Sequence, residues 1–261
     1  METRTQKQRS KNRHDAAIEL GAAEQGSVEL QSSAQTLHAL HVALYAHYGP
    51  QHWWPAETRF EMIVGAYLTQ ATAWRSVEHS IKNLRDTGLL NIAGIRKTPE
   101  EELRVLIRPS GFVQRKAASL RAFVNFLDQH YAGSLDRLCQ QRPEVARQQL
   151  LALPGVGPET ADAILLYALD HPVIVVDEYL RRVGLRHGLG HGLVADKSTD
   201  ARLRHLATEM LQQRVLDTAL EDAREFHALI VEVGKQHCRA TAQCAGCPLE
   251  RFLPGKIAHK G

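Results

Sequence analysis

Two features that could do chemistry stand close together in this chain. Leu153-Pro154-Gly155-Val156-Gly157-Pro158 reads as a tight hairpin between helices. Its glycines let the backbone turn sharply and come close to another molecule. Their N–H groups, backed by the N-terminus of the following helix, favour an anion such as a phosphate. Beyond that helix the apolar run Val173-Ile174-Val175-Val176 delivers one carboxylate, Asp177, to the start of another helix. A phosphate grip and an acid thus lie about twenty residues apart. Either feature alone reads equally well as a simple turn or an N-cap. The surrounding chain supplies further matching pieces.

The elements that must position these groups are helical. Leu37, Leu40 and Leu44 recur at helical spacing, and a strongly apolar helix is expected from Thr58 to about Thr72. Between them lies Gln51-His52-Trp53-Trp54-Pro55. A helix is expected from Ser76 to about Asp86. Another is expected after Thr98 as N-cap with Pro99 in its first turn. A basic amphipathic helix follows from Val113 to about His130, with Arg115, Lys116 and Arg121 on its exposed face. Near the C-terminus Phe226, Leu229, Ile230 and Val233 form an i, i+3, i+4, i+7 face. Val173 to Val176 has no second run to pair with, so the fold class is all-α.

At 261 residues, 44% hydrophobic and 23% charged, the chain has the composition of a globular protein. A net charge of +3 is compatible with nucleic acid without demanding it. No apolar run has membrane length and the N-terminus is polar, so no membrane partner and no secretory signal are expected, and the location is read as cytoplasmic. Residues 1–33 read as a disordered basic arm, with Arg4, Lys7, Arg9, Lys11 and Arg13 near its start. Cys238, Cys244 and Cys247 crowd the C-terminus, which in a cytosolic chain suggests metal rather than disulfides.

Taken together, these segments resemble the endonuclease III superfamily of DNA glycosylases, helix-hairpin-helix proteins of base-excision repair. LPGVGPETADAILL followed by VVDEYLRRV resembles the hairpin and catalytic-Asp segment, and GAYLTQATAW and RPSGFVQRKAASL resemble the segments that enter the base stack. HALIVEVGKQHCRATAQCAGCPL resembles the iron–sulfur region. The resemblance implies two helical domains with a DNA-binding cleft between them. One spans 55–170, with the helix-hairpin-helix at 143–170; the other is discontinuous, 34–54 plus 171–261. It implies a monomer acting on double-stranded DNA that contains damaged bases.

Residue by residue, Asp177 would be catalytic, stabilising the positive charge that develops on the sugar and orienting a water. Gln70 and Phe112 would fill the hole left by the flipped nucleotide. Gly155, Val156 and Gly157 would grip a phosphate, helped by Arg115 and Lys116. Glu159 stands where the lyase branch carries its Schiff-base lysine, and a carboxylate cannot form that adduct. The Trp53-Trp54-Pro55 loop brings the chain nearer to the endonuclease-III-like 3-methyladenine glycosylases, whose cationic base would suit Trp53 and Trp54 as pocket walls. The oxidised-pyrimidine glycosylase/lyase and a non-catalytic damage-binding module are the alternatives. The family's 4Fe–4S cluster uses four cysteines. Here Cys238, Cys244 and Cys247 have a first gap one residue short, and Leu253 stands in the fourth place. Three thiolates with an outside ligand such as His237 could hold a cluster or zinc; a decayed site is the other reading.

Overall fold

The computed structural model describes residues 33–53, 56–189 and 197–254. Trp54 and Pro55, nearly all of the basic arm, and part of the Gly- and His-rich loop lie outside them. The described residues are helical or irregular, with no strand among them. None of the described helices is long and apolar enough to cross a membrane.

Helix α1 covers 33–48. Then come α2 (Arg59–Leu68), α3 (Trp74–Asp86), α4 (Ile92–Lys97), α5 (Glu100–Leu106), α6 (Val113–Tyr131), α7 (Leu135–Cys139) and α8 (Pro143–Leu151). The hairpin leads into α9 (Pro158–Tyr167), followed by α10 (Glu178–Arg186), α11 (Lys197–Met210) and α12 (Ala219–Gln236). The starts follow local chemistry. The Thr58 side chain accepts the Glu61 N–H at α2. Thr218 and Glu221 form a reciprocal capping box at α12. Pro143 and Pro158 occupy first-turn positions where no intrahelical N–H is needed.

The expected Thr98 N-cap is corrected. Thr98 closes α4, a helix that periodicity did not reveal, and its hydroxyl donates back to the Gly94 carbonyl at 2.7 Å. At six residues α4 is too short to show a period.

Two apolar cores share α9. Ala161, Ile164, Leu165 and Ala168 pack with α2, α6 and α8 into one core. Ala163, Leu166 and Tyr167 join α1, α10, α11 and α12 in the other. Because α9 is buried on both sides, its apolar residues run almost continuously, and fully burying each large one contributes about 1.5–3 kcal/mol. Its single fully buried acid, Asp162, is held by Arg147 of α8 and Arg204 of α11, each at 2.7 Å. Removing Asp162 would strand both guanidiniums at the seam and is expected to be strongly destabilising. Asp170, at a left-handed φ of 57°, takes Arg59 from one side and Arg224 from the other. The chain then runs extended through buried Ile174, Val175 and Val176 to Asp177. Helices α10 and α12 pack closely because Gly234 faces the Tyr179 ring: a Cβ there would come within 2.1 Å of it.

Candidate active site and DNA-facing surface

Asp177 is the N-cap of α10, and Oδ1 accepts the Leu180 N–H at 2.7 Å. The N-cap reading of the sequence is therefore correct as far as it goes. Yet the residue is only 6% exposed, and its second oxygen is not used by the cap. Oδ2 lies 3.7 Å from Nε2 of His227, a buried residue of α12. The other ring nitrogen, Nδ1, is 2.8 Å from the Tyr167 hydroxyl. Trp53 packs edge-on against both rings, with centroids 5.2 Å from His227 and 6.1 Å from Tyr167.

The loop carrying Trp53 is fixed from the same helix. The buried carboxylate of Glu225 accepts the Gln51 N–H at 2.7 Å and the His52 N–H at 3.0 Å. Arg224 bonds the Leu166 carbonyl at the end of α9. Sequence reasoning singled out none of these α12 residues. Trp53, Met62, Tyr167 and Arg224 border a cavity of about 290 Å³ at the seam. A larger cavity of about 670 Å³ lies between α2 and α3, against Glu61, Trp74 and Arg85, and shares no residue with the Asp177 cluster.

Glu159 stands in the first turn of α9. It is open to solvent on one side but walled by protein, so desolvation raises its carboxyl above the usual range, and the Asp177 charge raises it further. Arg181 and His227 oppose the rise. The charge of Asp177 thus acts on Glu159 as a like charge.

The hairpin differs between its two glycines. Gly155 has φ of 77°, and a Cβ there would meet Ser119 Oγ at 2.4 Å, so the fold itself requires glycine. Gly157 has φ of −94° and a Cβ would meet nothing within 4 Å. Its openness is on the outside of the molecule. Val156 is buried, and its N–H is engaged by the Leu153 carbonyl at 3.2 Å. That corrects its expected place as a phosphate donor.

Gln70 and Phe112 lie on adjacent loops. The Gln70 amide donates to the Gly155 carbonyl at 2.8 Å and to the Thr160 hydroxyl at 3.0 Å, so it lies on the hairpin. Phe112 is 62% exposed with a left-handed φ of 47°. An exposed aromatic side chain on a strained backbone serves something other than the core. Arg115 is exposed and its guanidinium lies 5.6 Å from the Phe112 ring centroid.

Lys116 departs from expectation. It is 1% exposed, and its ammonium donates to the Leu68 carbonyl at 2.8 Å, and to the Thr72 hydroxyl and the Ser110 carbonyl, each at 2.7 Å. With all three protons engaged it has none to offer a phosphate. Instead it ties the Gln70 loop to the Phe112 loop. Burial pulls it down to about 8, with the charge of Arg115 adding to the effect.

The match to known proteins agrees with this geometry. Residues 64–209 fit the description "HhH-GPD superfamily base excision DNA repair protein". A Methanocaldococcus jannaschii protein whose name places it among the DNA repair glycosylases is 38% identical over 87% of this chain and 99% of its own length. The chain belongs to the HhH-GPD superfamily of base-excision DNA repair proteins. Among solved structures, a 3-methyladenine DNA glycosylase of H. pylori bound to 1,N6-ethenoadenine has a TM-score of 0.65 and 29% identity, covering 78% of this chain and 97% of that one. Endonuclease III trapped as a covalent intermediate with DNA has a TM-score of 0.69 at 22% identity, a likeness of fold. The HhH-GPD fold accounts for the helical architecture of the described residues, and the chain falls in the base-excision-repair DNA glycosylase family of that superfamily.

Endonuclease III relatives in this superfamily usually carry a 4Fe–4S cluster, and the residues here do not make a full set of ligands for one. Cys238, Cys244 and Cys247 line one small cavity together with Arg186, His237 and Leu253. The Arg186 guanidinium already donates to Cys238 Sγ at 3.0 Å. Burial raises the Cys247 thiol above its ordinary value. Among the described residues, no group of three or more His, Cys, Asp or Glu side chains is arranged to hold a metal ion.

Proposed function

We propose that the protein is a monofunctional glycosylase that hydrolyses the N-glycosidic bond of an alkylated purine flipped out of duplex DNA. The carrying observation is the pairing of acids at the site. The place where lyase relatives hold an amine is Glu159, close enough to Asp177 for that carboxylate to raise it. Two acids without that amine suit hydrolysis through a cationic sugar, and they give no Schiff base.

In this reading Asp177 stabilises the oxocarbenium-like state and orients the attacking water with Oδ2, since Oδ1 is held by the helix cap. Alkylation makes the leaving purine cationic, so it departs without a strong general acid. Trp53 supplies an electron-rich wall for that cation. Its ring face holds the Lys235 ammonium 5.7 Å from the centroid in the free protein, which supports the assignment. Trp54, outside the described residues, is proposed as a second wall.

Gly155 and Gly157 present the hairpin backbone to a phosphate, and Arg115 adds a charge nearby. Phe112 enters the base stack, and Gln70 leaves its hairpin bonds to do the same. No step requires a metal.

The test is a panel of lesion duplexes with mass analysis of the released base. Methylated DNA is expected to yield free 3-methyladenine. Preferential release of oxidised pyrimidines would replace this reading with the endonuclease III type. Tight binding with no released base would favour a damage-binding module.

A further inference from the structure

The two oxygens of Asp177 have different neighbours. Oδ1 belongs to the helix cap, and Oδ2 faces His227 Nε2 at 3.7 Å. Both residues are buried, at 6% exposure each. On the far side of the ring, Nδ1 and the Tyr167 hydroxyl are 2.8 Å apart. That hydroxyl also lies 3.4 Å from the Arg224 carbonyl. Burial holds Tyr167 well above the ordinary phenol value, so it keeps its proton.

Two protonation arrangements of the ring fit these contacts. With neutral imidazole, the phenol donates to Nδ1 and the ring proton sits on Nε2. With cationic imidazole, Nδ1–H donates to the phenol oxygen and the phenol proton turns to the Arg224 carbonyl. Both arrangements place an N–H opposite Asp177. The remaining one, with the proton on Nδ1 alone, would set a bare nitrogen lone pair against a carboxylate.

We propose that His227 is a positioning residue for Asp177, its Nε2–H aiming Oδ2 at the sugar, with Tyr167 holding the tautomer. The proposal rests on reading Asp177 as the reacting acid. It also explains the packing of Trp53 on the same imidazole: the wall of the base pocket and the acid share one support. Any displacement of His227 would move both. The close approach of α12 to α10 at Gly234 brings the ring within reach.

The experiment uses the full-length protein, single-turnover release of 3-methyladenine from methylated duplex DNA, and nitrogen-15 spectra of the histidine rings. His227→Ala is expected to lower the release rate about 30-fold or more, because a misplacement on the scale of an ångström can remove that much. Affinity for a duplex carrying an uncleavable abasic analogue should change by less than about 3-fold, since the interaction acts on the reacting acid and not on DNA binding. His227→Gln, whose amide can donate from nearly the same point, should recover most of the loss, which a purely structural role would not predict. Tyr167→Phe should give a smaller loss and a mixed tautomer. A rate for His227→Ala within about 2-fold of wild type, or equal losses for Ala and Gln at equal thermal stability, would overturn the proposal. So would a wild-type spectrum with the His227 proton on Nδ1 alone. If wild type releases no 3-methyladenine, the substrate reading fails, and the ring spectrum still decides the tautomer on which His227 depends.

Discussion

The hairpin and the first half of α12 are built in opposite ways. The hairpin surface is open. Gly157 has vacant space where a Cβ would go, and on the neighbouring loop Phe112 stands exposed on a left-handed backbone. The α12 wall is closed. Glu225 and His227 are buried, and their polar groups meet protein partners: the N–H groups of the Trp53 loop, the Tyr167 hydroxyl and Asp177. A surface that must receive a macromolecule keeps room and spare bonding capacity. A wall that must hold an acid to a fraction of an ångström is satisfied from within.

The largest effect is expected at Asp177 itself. Asp177→Asn should lower base release by about 10³-fold or more while lesion-duplex binding is retained. Single-turnover assays beside equilibrium binding check it, and parallel loss of both would mean that Asp177 serves binding or folding.

Next comes the closed wall. Glu225→Ala strands the Gln51 and His52 N–H groups and should lower unfolding free energy by about 2 kcal/mol, read from urea titration. Base release should fall with it, because Trp53 loses its anchor.

The hairpin offers a test within itself. Gly155→Ala forces a left-handed backbone and a clash with Ser119, and should cost about 1–2 kcal/mol of stability. Gly157→Ala should leave stability within about 0.5 kcal/mol. It should nonetheless weaken duplex binding, because the added methyl occupies the approach to a phosphate. Equal effects of the two on stability would remove the distinction drawn here.

The smallest effect is a pH signature at Glu159. Its carboxyl is raised in the folded state, first by burial and then by Asp177, so the folded protein holds that proton more tightly than the unfolded chain. In acid, below the unfolded carboxylate range, both states are protonated and nothing is lost. As pH rises through the raised value, the folded state loses stability. Glu159→Gln lacks this term, so it should match wild type in acid and exceed it slightly at neutral pH. Thermal melts at both pH values read the difference.

The same contrast explains what could be read from the sequence. The hairpin is marked by Gly and Pro at the positions where backbone geometry demands them. Asp177 is marked by its place after a buried apolar run. The α12 face Phe226, Leu229, Ile230 and Val233 was legible by period, and all four are buried. Glu225 and His227 were not, because periodicity assigns polar residues to solvent, and α12 is buried on more than one side. Lys116 misled for a related reason. Its charge suggested an exposed face, but the oxygens that bind it include groups on Leu68 and Thr72, 48 and 44 residues earlier, beyond any local pattern.

Hydrolysis by Asp177 and Glu159, with no amine at the lyase position, is tested most directly by treating the protein with borohydride on the duplex whose lesion it excises, while following base release and strand breakage in one time course. The expected result is released base, intact strands until hot alkali is added, and no covalent protein–DNA adduct. A trapped adduct, or strand breakage keeping pace with base release, would contradict it.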